Sequence, residues 1–436
     1  MIRVAMIGAG SVGFTRRLLM DILAVPEFRD TEFRLMDISE ENMEMATNLC
    51  RKMVEDNDLP AKVIGTTDRR EALRGADYVI STVRVGGLEA FAHDIEIPLK
   101  YGVDQCVGDT LGPGGIFYAQ RTIPVLLDVA KDMRELCPNA LLLNYSNPMA
   151  MNTWALRRAG GVRLVGLCHG VQHGAGQIAQ ALGIPGDEFE YICAGINHQT
   201  WFTKVMHKGK DLTADVPEAM RREFAKSEPT RLDVLERFGY YSTESNGHLS
   251  EYLPWYRKRP NEIEQWIDRS TWIGGETGGY LRVCRESQDD YKKNYPKWLS
   301  GELDQIPLGN RSNEHGSWII EALETGRRYW GCMNVANTGL ITNLPDGCTV
   351  ELPCIVDSSG IQPTFIGDIP MQCAALCAAS VRVQQMAVEA ALTGDKQMLK
   401  LAVLNDPLTA AVCTPDEVWK MVDEMLEALK PWLPQF

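Results

Sequence analysis

The chain has 436 residues, 45% of them apolar and 23% charged, with a formal net charge of −14. That describes a globular protein able to bury a sizeable core unaided, in roughly two to three domains or as one large α/β unit with an elaborated second half. The acidity argues against nucleic-acid and anionic-membrane surfaces, no run of about 18 apolar residues offers a membrane span, and twelve cysteines without a Cys-x-x-Cys pair read as reduced, mostly buried thiols.

Residues 2–7 are a predicted buried strand with no secretory leader before it, and with the reduced cysteines this predicts a cytoplasmic protein. Gly8-Ala9-Gly10-Ser11-Val12-Gly13 follows. It matches G-x-G-x-x-G between a strand and a helical pattern (Phe14, Leu18, Leu19, Ile22, Leu23). The glycines permit a tight turn and close backbone approach, and the helix N-terminus favours a pyrophosphate. Phe33-Arg34-Leu35-Met36-Asp37 reads as a second strand ending in an acid, 24 residues past Gly13. An acid there suits ribose hydroxyls and favours NAD over NADP, whose 2′-phosphate it would repel.

Residues 40–57 have the apolar spacing of a helix, with Met43, Ala46, Leu49, Cys50 and Met53 on one face. Residues 62–64, 78–82, 140–145 and 165–167 read as further strands, with helices over 69–73 and 116–136. Strands and helices alternate, and the strands are continuously apolar. This predicts a parallel sheet covered on both faces, a Rossmann-like dinucleotide-binding domain over residues 1–193.

Residues 194–436 predict a mixed α+β, largely helical second domain. Residues 208–230 are polar, read as a loop or mobile segment, and residues 285–310 are polar and lysine-bearing. Residues 347–365 read as strands, and 369–403 and 415–431 as long helices. This half is expected to cover the cofactor, to supply much of the substrate pocket and to mediate oligomerisation.

Three features carry chemistry. The loop Gly108-Asp109-Thr110-Leu111-Gly112-Pro113-Gly114-Gly115 is a rigid backbone that ligands can approach closely. Asn144-Tyr145-Ser146-Asn147-Pro148-Met149 is a strand end with amides that bond hydroxyls. Cys168-His169-Gly170 and Asn197-His198 each follow an apolar strand, so Cys168 and His198 are placed to meet as a partial metal site with open positions.

These motifs resemble the NAD- and Mn²⁺-dependent glycosidases of glycoside hydrolase family 4. The likeness runs nearly end to end, through Asn334-Val335-Ala336-Asn337-Thr338-Gly339 and the tail Lys430-Pro431-Trp432-Leu433-Pro434, and is nearest to melibiase-type α-galactosidases. The family stands outside the two-carboxylate scheme of most glycosidases. The resemblance implies a lactate/malate-dehydrogenase-like fold and a redox elimination–addition route. Hydride leaves sugar C3 for NAD, a base removes the acidified C2 proton, the glycosidic bond breaks, water adds, and the hydride returns.

By resemblance, Gly8, Gly10, Ser11, Gly13 and Asp37 hold the cofactor, Cys168 and His198 hold the metal, and Asn147, Arg84 and Asp109 bind substrate. His169 is then a general acid or sugar contact, and His248 and Tyr252 compete for the role of C2 base. The partner implied is a small sugar, with a homodimer or homotetramer as the assembly. Two features depart from the melibiase pattern: Cys-His-Gly-Val stands where Cys-His-Ser-Val is expected, and Arg84 resembles an arginine that holds a C6 phosphate. An arginine near C6 also suits a carboxylate. An unphosphorylated α-galactoside is therefore the first substrate reading, an α-glucuronide or α-galacturonide the second. An NAD-dependent hydroxy-acid dehydrogenase is the reading from another class, and it leaves Cys168 and His198 without a role.

Overall fold

The computed structural model describes residues 1–436, the side chain of Glu262 apart. Strands β1 (Arg3–Ile7), β2 (Glu32–Met36), β3 (Lys62–Thr66), β4 (Tyr78–Ser81), β5 (Leu141–Asn144) and β6 (Arg163–Gly166) run parallel in the order 3-2-1-4-5-6. This is the doubly wound dinucleotide-binding order, which reverses direction beside β1. The all-apolar runs in the sequence have their cause here. β4 and β5 lie mid-sheet with every residue buried.

The sheet does not stop at β6. Seven further strands extend it: β7 (Phe189–Ile196), β8 (Gln199–His207), β9 (Lys210–Asp211), β10 (Tyr241–Ser242), β11 (Tyr329–Ala336), β12 (Thr349–Asp357) and β13 (Gly360–Pro363). β11 pairs antiparallel with β6, and the order continues through β12, β7, β8 and β10. Both halves of the chain thus share one thirteen-stranded sheet. The helix Met371–Thr393 packs back onto Gly112–Leu136 from the first half, so one apolar core runs through both.

Residues 208–230, expected as a loop, are mostly folded into β9, a helix at Val216–Phe224 and the start of another at Pro229–Phe238. Val216, Ala219, Met220 and Leu235 pack with Val171 and Ile178 in a second core cluster. Their apolar spacing is sparse and is interrupted by charges such as Arg221, Arg222 and Glu223, which is why the composition read as loop. The polar stretch 285–310 begins inside the helix Gly279–Ser300, and the expected helix over 369–403 breaks at Gly394, where φ is +70°. No helix among the described residues is long and apolar enough to cross a membrane.

Candidate active site

Ligands of open α/β sheets bind beyond the carboxyl ends of the parallel strands. Gly8, Gly10 and Ser11 follow β1, Asp37 follows β2, Arg84 lies past β4, Asn147 past β5, and Cys168 past β6. At Gly8, with φ +90°, a Cβ would sit 2.8 Å from the Thr82 and Val83 backbone. At Gly10 a Cβ would meet Asp37 Oδ2 at 2.5 Å, and the Gly10 amide donates to that oxygen at 2.8 Å. The Ser39 amide donates to Asp37 Oδ1 at 2.9 Å, so the carboxylate is anchored beside the glycine turn. Gly13 was singled out with them, and the structure adds what fills its missing side chain: a Cβ there would lie 1.9 Å from the hydroxyl of Tyr291, on the helix Gly279–Ser300.

Past β5, Asn147 Nδ2 donates to Asp109 Oδ2 at 3.1 Å, and Thr110 Oγ1 donates to Asp109 Oδ1 at 2.9 Å. The loop carrying Asp109 is clamped to the helix Asn246–Tyr252. The buried Glu251 carboxylate accepts from the amides of Cys106, Val107 and Gly108 at 2.5, 2.5 and 3.0 Å. Arg84 Nη2 stands 4.0 Å from Asp109 Oδ2, and its guanidinium lies over Phe91, Tyr118 and Tyr280 at 4.7, 5.5 and 5.6 Å. Its charge already faces a carboxylate.

Cys168 and His198, distant in sequence, meet. Their ligand atoms and a carboxylate oxygen of Glu244 all lie within 4.8 Å of one another. His198 occupies the tight β7–β8 turn with φ +62°, and burial lowers its pKa to about 4, which keeps the imidazole neutral. Nδ1 of His198 lies 2.9 Å from Thr110 Oγ1, whose own proton goes to Asp109. Nδ1 is therefore the protonated nitrogen, and Nε2 keeps the lone pair a metal needs. The Cys168 thiol is pushed up by burial and by Glu351 and Glu244, a cost that a bound cation would reverse. His315 Nε2, buried, reaches the Cys168 carbonyl at 3.0 Å and fixes that backbone.

His248 and Tyr252 sit one turn apart on the helix that Ser245 caps. Tyr252 OH is 2.5 Å from His248 Nε2 and 3.2 Å from His198 Nδ1, and His248 Nδ1 is 3.1 Å from Glu244 Oε2. The two competing residues are thus one hydrogen-bonded unit. Burial acts to lower the His248 pKa, but the Glu244 hydrogen bond and charge outweigh it and the net shift is upward, while burial raises the Tyr252 phenol well above its ordinary value. His169 stands apart: it is 67% exposed and pairs through Nδ1 with Glu314 Oε1 at 3.2 Å.

Sequence reasoning missed Glu244, Tyr291 and the Glu314-His315 pair, and it gave Glu251, part of the Glu251-Tyr252 likeness, no role of its own. Glu244 left no helical signal, because it precedes the cap Ser245 and its backbone is left-handed, with φ +76°.

An edge so furnished belongs to a dinucleotide-binding enzyme with donors for a metal. A family model described as family 4 glycosyl hydrolase matches residues 3–184, and the C-terminal domain model of the same family matches residues 193–409. The chain belongs to family 4 of the glycosyl hydrolases. It is 58% identical to an alpha-galactosidase of Rhizobium meliloti, over 100% of this chain and 89% of that one. It is 38% identical to an alpha-galactosidase of Bacillus subtilis, over 100% and 99%. Among solved structures it is similar to the 6-phospho-beta-glucosidase of Thermotoga maritima with manganese, NAD+ and glucose-6-phosphate. That match has 25% identity and a TM-score of 0.81, covering 99% of each chain.

Proposed function

We propose that this enzyme hydrolyses unphosphorylated α-galactosides by redox elimination–addition, with NAD and a divalent cation such as Mn²⁺. The observation that carries the reading is the meeting of Cys168, His198 and Glu244 against the His248–Tyr252 pair. The residues fit both groups. Gly8 and Gly10 let the turn pack directly on the Thr82–Val83 backbone and on Asp37 at the start of the helix Val12–Leu23, the form of turn that holds a pyrophosphate, and a thiol beside a neutral imidazole, with a carboxylate close by, suits a borderline divalent metal. When bound, NAD exchanges hydride with sugar C3 and the cation stabilises negative charge on the sugar oxygens.

The chain's own groups do the rest. Asp37, beside Gly10, accepts from the ribose hydroxyls. Asn147 and Asp109 orient sugar hydroxyls. The Tyr252–His248 pair receives the C2 proton: the buried phenol resists ionisation alone, and His248 Nε2 takes the proton it passes on, with Nδ1 held by Glu244. His169, exposed and held by Glu314, gives a proton to the departing oxygen.

Arg84 favours a second reading, a uronide whose carboxylate it would hold. Asp109, 4.0 Å away, already balances that charge, so the neutral galactoside stands first. The same proposal includes the cytoplasm, supported by twelve free thiols, and a homodimer or homotetramer.

The test is hydrolysis of aryl α-galactoside and aryl α-galacturonide with NAD, Mn²⁺ and a thiol reductant. Galactoside turnover without net NADH, abolished by chelation and slowed by deuterium at C2, is expected. Net NADH, or indifference to chelator, NAD and deuterium alike, overturns the mechanism, and faster uronide turnover overturns the sugar.

A further inference from the structure

The pair implied by resemblance, Cys168 and His198, does not include Glu244, which bonds to His248, and it leaves Gly170 as an unexplained departure. The structure connects the two. A Cβ on Gly170 would lie 2.1 Å from Glu244 Oε1, and no other atom comes nearer than 3.2 Å. The backbone does not require glycine here, since Gly170 begins the helix Gly170–Leu182 and is not among the residues with positive φ. What the missing side chain supplies is space, and a carboxylate oxygen occupies it.

Glu244 holds that position at a cost. Its φ is +76°, in the left-handed region that a residue with a Cβ rarely adopts. Its two oxygens are divided. Oε2 accepts from His248 Nδ1 at 3.1 Å. Oε1 lies 3.8 Å from His198 Nε2, too far for a hydrogen bond between them. Donors that share one cation stand roughly 3–4 Å apart, given bonds of about 2.0–2.3 Å. A strained backbone, a vacated Cβ position and a carboxylate oxygen facing the lone pair of His198 all converge on the same point.

We propose that Glu244 is a third protein ligand of the divalent cation, admitted by the absence of a side chain at Gly170. Its Oε1 binds the cation while Oε2 orients His248. The inference rests on the metal reading of Cys168 and His198 above. A thiolate and a carboxylate together match the two positive charges of the cation, so an uncharged sugar can bind to a neutral centre. Gly170 and Glu244 then form a matched set: a serine at 170 displaces the carboxylate, and the larger residue is tolerated only where the cation does without it.

The experiment measures Mn²⁺ binding to the metal-free full chain by titration calorimetry, for the wild type and for Glu244→Gln, Gly170→Ser, His248→Gln and Cys168→Ser. NAD binding, followed by protein fluorescence, reports whether each variant is folded. Glu244→Gln and Gly170→Ser are expected to weaken Mn²⁺ binding tenfold or more with NAD binding intact, and His248→Gln to change it less than threefold. In the Co²⁺-loaded forms, Glu244→Gln and Gly170→Ser should alter the visible ligand-field bands while keeping the sulfur-to-cobalt charge-transfer band. Wild-type Mn²⁺ affinity and an unchanged Co²⁺ spectrum in Glu244→Gln overturn the proposal while leaving the Cys168–His198 reading in place. Unchanged Mn²⁺ affinity in Cys168→Ser overturns that reading instead.

Discussion

Tyr252 places its hydroxyl 2.5 Å from His248 Nε2, one helical turn away, while Glu244 holds the opposite ring nitrogen at 3.1 Å. Two residues that compete as bases in the sequence are therefore one hydrogen-bonded unit, and the proposed mechanism uses them as one proton path. Tyr252→Phe and His248→Gln should each lower kcat by about 10²-fold or more, in the range of positioned acid–base groups. The double variant should fall little further, because either change alone breaks the unit. Steady-state kinetics on aryl α-galactoside, with Kd for NAD as the control, checks this. Additive losses would show two independent roles.

Asp37 ends β2 with one oxygen on the Gly10 amide. Asp37→Ala should raise the Kd for NAD by about tenfold to a hundredfold, the range of a lost charge-assisted hydrogen bond. It should also narrow the preference over NADP, since the repelling charge is gone. Fluorescence titration with both dinucleotides measures the two effects.

Glu251 serves folding as well as the site. Its carboxylate satisfies three successive buried amides, at Cys106, Val107 and Gly108. Glu251→Ala leaves them without an acceptor, at about 1–3 kcal/mol for each buried group left unpaired. A loss of about 3 kcal/mol or more in urea unfolding is expected. Activity should fall with it, because the loop that carries Asp109 and Thr110 is no longer clamped.

Glu351 is buried in β12, accepts from Asn197 Nδ2 at 3.1 Å, and has its pKa raised by desolvation to about 8 from an ordinary 4.5. Between those values the folded chain keeps a proton that the unfolded chain has released. Stability from this group is complete below about pH 4.5 and is lost as pH rises through about 8, on the order of 1 kcal/mol per pH unit. Glu351→Gln, which copies the neutral acid, should flatten that decline. Urea unfolding from pH 5 to 8.5 compares the two, and parallel profiles would show that Glu351 is ionised in the fold.

The glycine turn, Asp37 and the parallel strands were legible because local chemistry sets them. A turn needing positive φ selects glycine, as at Gly8, and a strand buried on both faces must be apolar throughout. The antiparallel extension was harder to read. β11 mixes Trp330, Cys332 and Asn334, and its place beside β6 is set by pairing across more than 160 residues of chain. The folded segment at 216–238 was hidden for a similar reason, its few apolar anchors being outnumbered by charge.

Local pattern by itself determined the dinucleotide half, the thiol and imidazole at two strand ends, and through motif likeness the family of the enzyme. The expected meeting of Cys168 and His198 is found, but only the tertiary structure made one unit of His248 and Tyr252 and brought Glu244 into the space that Gly170 leaves. The physical reason is that periodicity and turn chemistry act over a few residues. A site is a coincidence of side chains from separate strands and loops, and it takes shape only when the sheet aligns them along one edge.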